Sequence, residues 1–164
     1  MTGAPGPRAT IVVGVDGSPS SEQALRWALR QAEVTGGEVH AVTVWQLPTT
    51  AGWDTPLDAV DWAANARLAL DTALGASDPE GSAPVRRDVV EGHAARVLVE
   101  LAENADLLVV GSRGRGAFTG MLTGSVALHV LAHARCPVVV VHGDRLPGRP
   151  DPATSSQGTG ALTG

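Results

Sequence analysis

A parallel α/β domain, with a sheet covered by helices on both faces, is the fold class this chain predicts, and three observations carry that reading. Five short runs rich in β-branched residues, at Ile11 to Val15, Val39 to Trp45, Val85 to Val90, Leu107 to Val110 and Val138 to Val141, alternate with longer segments of helical periodicity. That alternation is the pattern of crossover units feeding a parallel sheet. The runs Ile-Val-Val and Leu-Leu-Val-Val are apolar throughout, as strands buried on both faces are. Glycine, aspartate and serine gather after the first and fourth runs, and in such sheets ligands sit beyond the carboxyl ends of the strands.

Each element has its own local reason. The first strand stops at Asp16-Gly17-Ser18-Pro19; Ser18 is the expected N-cap of the following helix, with Pro19 at its first position and Gly36-Gly37 as its stop. Ala24, Leu25, Ala28, Leu29 and Ala32 form the apolar face of that helix. After the second strand comes a segment from Gln46 to Pro56, rich in Thr, Pro and Gly, which reads as a lid or recognition loop. Leu57 to Leu74 returns to helical periodicity and is expected to end at Gly75. Ala95 to Asn104 is the third predicted helix, with Val97, Leu98 and Leu101 on one side, and Ser125 to Ala134 the fourth, closed off by Pro137. Residues 1–8 read as a flexible lead, 9–143 as one domain, and 144–164, rich in Pro, Gly, Ser and Thr, as a disordered tail.

Composition removes several functions. Twelve basic against 17 acidic residues leave a formal charge of -5, which argues against broad electrostatic attachment to nucleic acid or to an anionic membrane. All twelve basic residues are Arg, so no window supplies the Lys of a Walker-type P-loop. The single Cys136 and an opening without a charged or apolar leader point to the cytoplasm, and the longest apolar runs fall far short of a membrane span.

From Gly111 to Ser125 the chain is a glycine-punctuated loop between the fourth strand and the fourth helix. Glycines there let backbone amides approach an anion, and the helix N-terminus adds the positive end of its dipole. Taken alone, such a loop is equally a flexible connection. Asp16 either caps the first helix or closes an Asx turn, or, at the mouth of a phosphate site, accepts a ligand hydroxyl or engages Mg²⁺. Arg113 and Arg115 either contact phosphates or solvate the loop. His129, His133 and Cys136 have a spacing that zinc could use, but histidines near a helix C-terminus are favoured by the dipole without a metal. Trp53, in the long linker, could cover a bound base. No catalytic triad is visible, and Ser125, opening a helix, suits anion binding better than nucleophilic attack.

The spacing Gly111, Gly114, Gly124-Ser125 is similar to the ATP-binding signature of the universal stress proteins. The opening Val-Gly-Val-Asp-Gly-Ser, the phrase Ala-Asp-Leu-Leu-Val-Val-Gly-Ser-Arg-Gly-Arg-Gly and the closing Cys-Pro-Val-Val-Val-Val resemble that family in the same order, across residues 10–142. The resemblance implies a Rossmann-like adenine nucleotide-binding fold with a five-stranded parallel sheet in the order 3-2-1-4-5. It also implies a ligand set. Asp16, with Gly17 and Ser18 beside it, falls near ribose and metal, and the Val44 backbone near adenine. Gly111, Ser112, Arg113, Gly114 and Arg115 form the ribose and phosphate loop, and Gly124, Ser125 and Val126 hold the outer phosphates. One departure stands out: Gly92-His93-Ala94-Ala95 replaces the frequent Gly-x-Pro-Ala, bearing on the start of the third helix more than on the nucleotide.

The expectation is therefore an ATP- and Mg-binding regulatory protein of stress response, at most a slow ATPase, for want of a water-activating base in the motif. A homodimer through Val138 to Val141 is expected from an exposed β-branched edge. Two rivals remain. One is an adenine-nucleotide hydrolase or transferase of a related fold, although the adenylating kind carries Ser-Gly-Gly-x-Asp-Ser after its first strand and this chain does not. The other is a nucleotide-free scaffold.

Overall fold

The structure, a computed structural model, describes residues 8–47, 60–78, 81, 83–114 and 123–142. Nine elements alternate as expected: β1 (Thr10–Gly14), α1 (Pro19–Thr35), β2 (Glu38–Trp45), α2 (Trp62–Ser77), β3 (Val85–Glu91), α3 (Ala94–Ala102), β4 (Leu107–Gly111), α4 (Ser125–His133) and β5 (Val138–Val141). All neighbouring strands pair in parallel, in the order β3-β2-β1-β4-β5. The predicted fold class therefore holds, including the strand order. β1 is central, and chain order reverses between β1 and β4, where the two strands pair through Ile11↔Leu107 and Val13↔Val109.

Alternation along the strands divides the core into two layers. Ile11, Val13, Val39, Ala41 and Val109 face α1 and α2, packing on Leu25, Leu29, Leu70 and Leu74. Val12, Val42, Leu108 and Val110 face α3 and α4, packing on Leu98, Ala102, Ala127 and Val130. β1 and β4 are buried along both faces, which explains why their sequences lack any alternation of polar residues. The edges differ: β3 exposes Arg86, Arg87 and Glu91, whereas β5 is four valines, three of them half-buried.

Helix ends follow their local chemistry. Ser18 caps α1, its Oγ accepting from Ser21 N, and Gly36 closes it at φ +67° with its N–H on Ala32 O. Asp61 caps α2 through Ala64 N at 2.9 Å. The second helix does not end at Gly75 as its sequence suggests: it continues to Ser77, with Asp78 N bonded to Leu74 O at 2.9 Å. Gly75 is exposed and helical, and the packing of Leu70, Ala73 and Leu74 into the core holds the turn that a glycine alone would weaken. The expected start of this helix at Leu57, the linker from residue 48 to 56 with Trp53, and the tail from residue 144 lie outside the described residues. Among the described residues no helix is long and apolar enough to cross a membrane.

Candidate functional site

The end of β1 is aimed by its neighbours before any side chain is considered. Val15 N–H bonds Val42 O at 2.8 Å and Val15 O accepts from Thr43 Oγ1 at 2.9 Å, so the chain stays tied to β2 one residue beyond the strand. Asp16 follows, and its Oδ1 accepts from Ser18 N at 2.9 Å and from Ser18 Oγ at 2.6 Å, across Gly17 at φ +76°. This is the Asx turn foreseen as one of the two roles of Asp16. It also fixes the carboxylate beside the fourth-strand loop: a Cβ on Gly114 would lie 2.7 Å from Asp16 Oδ2.

That loop is held from three sides. Ser112 N–H bonds Val141 O at 2.8 Å, Ser112 O accepts from Gly124 N at 2.6 Å, and Arg113 O accepts from Ser20 Oγ, with Ser18 Oγ 3.2 Å away. Gly111 packs directly on the first turn of α1: a Cβ there would come within 2.6 Å of Ser20 Oγ and 2.8 Å of the Ser20 carbonyl carbon and Ser21 N. Its lack of a side chain therefore serves the closeness of β4 to α1, where the resemblance implied approach to ribose and phosphate. The Gly124 N–H, implied as a phosphate donor, is instead spent within the loop on Ser112 O. Gly17, Ser18 and Ser112 are likewise framework residues that do not line the cleft.

Between α3 and α4, over the carboxyl ends of β1, β2 and β4, lies a cavity of about 480 Å³, within the range of small-molecule sites. Asp16, Val44, Gly111, Arg113, Gly114, Gly124, Ser125 and Val126 of the predicted set line it. Arg115 lies outside the described residues. The cavity has two chemically different ends. Val42 and Val44 of β2 with Ala94 and Leu98 of α3 make one wall apolar; Asp16, Arg113 and Ser125 bring polar groups to the other, among Val110, Val126 and Ala127. Like α3, and unlike α1 and α2, α4 has no side-chain cap: its N-cap Gly124 leaves the first-turn N–H groups without a side-chain acceptor among the described residues, beside the cavity.

Ala94 and Leu98 were not legible as site residues. The Gly92-His93-Ala94-Ala95 departure, read as bearing on the helix start more than on the nucleotide, places Ala94 in the cavity wall. Leu98 reaches the site because β1 has Gly14 beneath it, where a Cβ would sit 2.9 Å from Leu98 Cδ1. No local pattern announces a contact between residues 84 apart in sequence.

Other candidates fare differently. His129 and His133 stack with ring centroids 4.2 Å apart, and His133 Nδ1 lies 2.8 Å from His129 O, so that ring nitrogen is engaged with the helix backbone. No group of three or more metal-ligating side chains occurs among the described residues. Desolvation raises the pKa of Cys136, outweighing the backbone hydrogen bonds that lower it, so the thiol is held in its less reactive neutral form.

A doubly wound parallel domain with a cleft at its switch point, apolar at one end and rimmed by a glycine loop and an open helix N-terminus at the other, is a ligand-binding α/β domain of the Rossmann-like class. The chain belongs to the universal stress protein family, whose sequence profile matches residues 7–142. It is similar to two universal stress proteins of Mycobacterium tuberculosis: one is 38% identical over 145 residues, covering 82% of this chain and 48% of the relative. The other is 42% identical over 135 residues, covering 80% of this chain and 45% of the relative. The chain thus spans about half the length of these curated relatives. Among solved structures, a universal stress protein from Lactobacillus plantarum superposes with a TM-score of 0.68 at 23% identity, covering 84% of this chain and 99% of that one. A universal stress protein in complex with cAMP matches at 31% identity and a TM-score of 0.55, covering 83% of this chain and 98% of its own.

Proposed function

We propose that the domain, residues 9–143, binds an adenine nucleotide, ATP in the first instance, and that binding is its output. The observation that carries this is the division of one cleft into an apolar end by Val44 and Leu98 and a donor-rich end at the uncapped start of α4. A purine suits the first, and phosphates suit the second. The likeness to a universal stress protein that binds cAMP supports the adenine reading. Gly114, Ser125 and Val126 would meet phosphate through backbone N–H groups, with Arg113 at the rim.

Mg²⁺ fits the same residues. It is ordinarily held by one or two carboxylates together with substrate phosphates and water, and Asp16 is the carboxylate at the cleft. The ion would neutralise phosphate charge beside a carboxylate that otherwise repels it. None of the described side chains lining the cleft is an evident base for water, Asp16 Oδ1 being engaged by Ser18, so any hydrolysis is slow. A ligand that binds one state of the protein better than another then changes the surface shown to a partner, making the protein a nucleotide-dependent regulatory factor of the cytoplasm. The bare edge of β5 pairs with a second copy of itself.

A cyclic or monophosphate nucleotide is the second reading, favoured by the single cationic side chain, Arg113, among the described residues lining the cleft. Titration calorimetry with ATP, ADP, AMP and cAMP, each with and without Mg²⁺, decides. The tightest binding is expected for Mg-ATP; cAMP binding more tightly would move the assignment to the second reading, turnover would make the protein an enzyme, and absence of heat with all four would leave a scaffold.

A further inference from the structure

We propose that Ser20, which lies behind the cleft and does not line it, is a positioning residue that turns the Arg113–Gly114 peptide so that the Gly114 N–H faces the ligand phosphates. The proposal rests on the nucleotide-binding reading and adds to it the device that aims one donor. Ser20 is 6% exposed, in the first turn of α1, and its Oγ donates to Arg113 O. A trans peptide carries its C=O and the following N–H on opposite sides. With the Arg113 carbonyl drawn onto α1, the Gly114 N–H is turned away from α1, toward the start of α4. The Gly114 nitrogen lies close to the N-cap of α4, 3.6 Å from a Cβ built on Gly124.

Among the described residues nothing else in the neighbourhood does this as well. Ser18 Oγ lies 3.2 Å from the same carbonyl, but it sits 2.6 Å from Asp16 Oδ1, and its one proton goes to the nearer, charged acceptor. Ser20 can reach the loop only because Gly111 has no side chain, the Cβ of any other residue falling 2.6 Å from Ser20 Oγ. Gly111 and Ser20 therefore work as a pair. The glycine lets the end of β4 rest on α1, and the hydroxyl uses that closeness to fix the peptide two residues further on. Preorganising a donor in this way contributes to affinity by removing the cost of ordering it at the moment of binding.

The test separates phosphate from base. In Ser20→Ala the affinities for ATP and AMP should fall about tenfold, the effect of one hydrogen bond, while adenosine binds as it does to the wild type. Equal ATP affinity in the two proteins overturns the proposal, and so does an equal loss for adenosine and ATP, which would mark a general packing defect. The backbone amide resonance of Gly114 gives a second reading in the wild-type protein, needing no variant to fold. It should move on addition of AMP or ATP and stay in place with adenosine; an amide unmoved by ATP overturns the proposal. If the wild type binds none of the three, the nucleotide-binding reading itself fails, an outcome distinct from wild-type binding that Ser20→Ala leaves unchanged.

Discussion

Gly111 and Gly114 are alike in sequence and differ in what they meet. A methyl group on Gly114 would meet a carboxylate oxygen, Asp16 Oδ2 at 2.7 Å, and a methyl on Gly111 would meet backbone, the Ser20 carbonyl carbon and Ser21 N at 2.8 Å. Side chains yield more readily than a helix backbone, so the two substitutions should behave differently. Gly111→Ala is expected to destabilise the fold by about 1–3 kcal/mol, the cost of overpacking. Gly114→Ala should cost less stability and act on ligand affinity. Denaturant unfolding of both variants checks this, and equal stability of Gly111→Ala and wild type would mean that β4 does not rest on α1 as described. The glycines were legible as a signature in the sequence; that Gly111, besides lining the cleft, also rests on a helix was not, because that depends on how closely α1 crosses β4.

Among the elements, α2 offers the reverse case. Gly75 lies in the helical interior with nothing within 4 Å of a Cβ placed on it. Gly75→Ala should stabilise the protein by about 0.5–1 kcal/mol, raising the thermal midpoint by roughly 1–4 °C; a lower midpoint would show that the turn is not helical. The sequence suggested a stop there because glycine is the usual punctuation, and tertiary packing of Leu70, Ala73 and Leu74 overrides it. Strand positions were legible in the β-branched runs, and their order in the resemblance to a family, whereas the α3 wall of the cleft was not, since Leu98 meets Gly14 only after the sheet has formed. β5 sharpens the proposed dimer. Pro137 O accepts from Leu108 N and Val141 O from Ser112 N, just past β4, so alternation directs the backbone groups of Val139 toward β4 and those of Val138 and Val140 to the outer edge. A proline at Val139 would break the fold's own ladder. Val140→Pro removes an edge N–H alone, and should give monomers by sedimentation velocity with the fold retained; an unchanged dimer would place the interface elsewhere.

At the scale of the whole molecule, the cleft joins two halves of a sheet whose chain order reverses between β1 and β4, with Asp16 from one half and the Gly111 loop from the other. A ligand spanning both can bind only the folded state, so it must stabilise the molecule as a unit: by about 2.7 kcal/mol at a hundredfold excess over Kd, or roughly 5–10 °C in the thermal midpoint. The part of that gain which depends on Mg²⁺ should pass through the charge of Asp16. Asp16→Asn separates this role from the structural one, because an amide oxygen can still accept from Ser18 N and Oγ and so keep the Asx turn. The midpoint of the variant without ligand is then the baseline against which its own ligand increments are read. With ATP alone it should rise at least as far as the wild type does, the repulsion between carboxylate and phosphate having been removed. Adding Mg²⁺ should raise the wild type further and the variant little or not at all. If Mg²⁺ adds the same increment to both, the ion is held by phosphate and water without Asp16, and the carboxylate is there to shape the turn that begins α1.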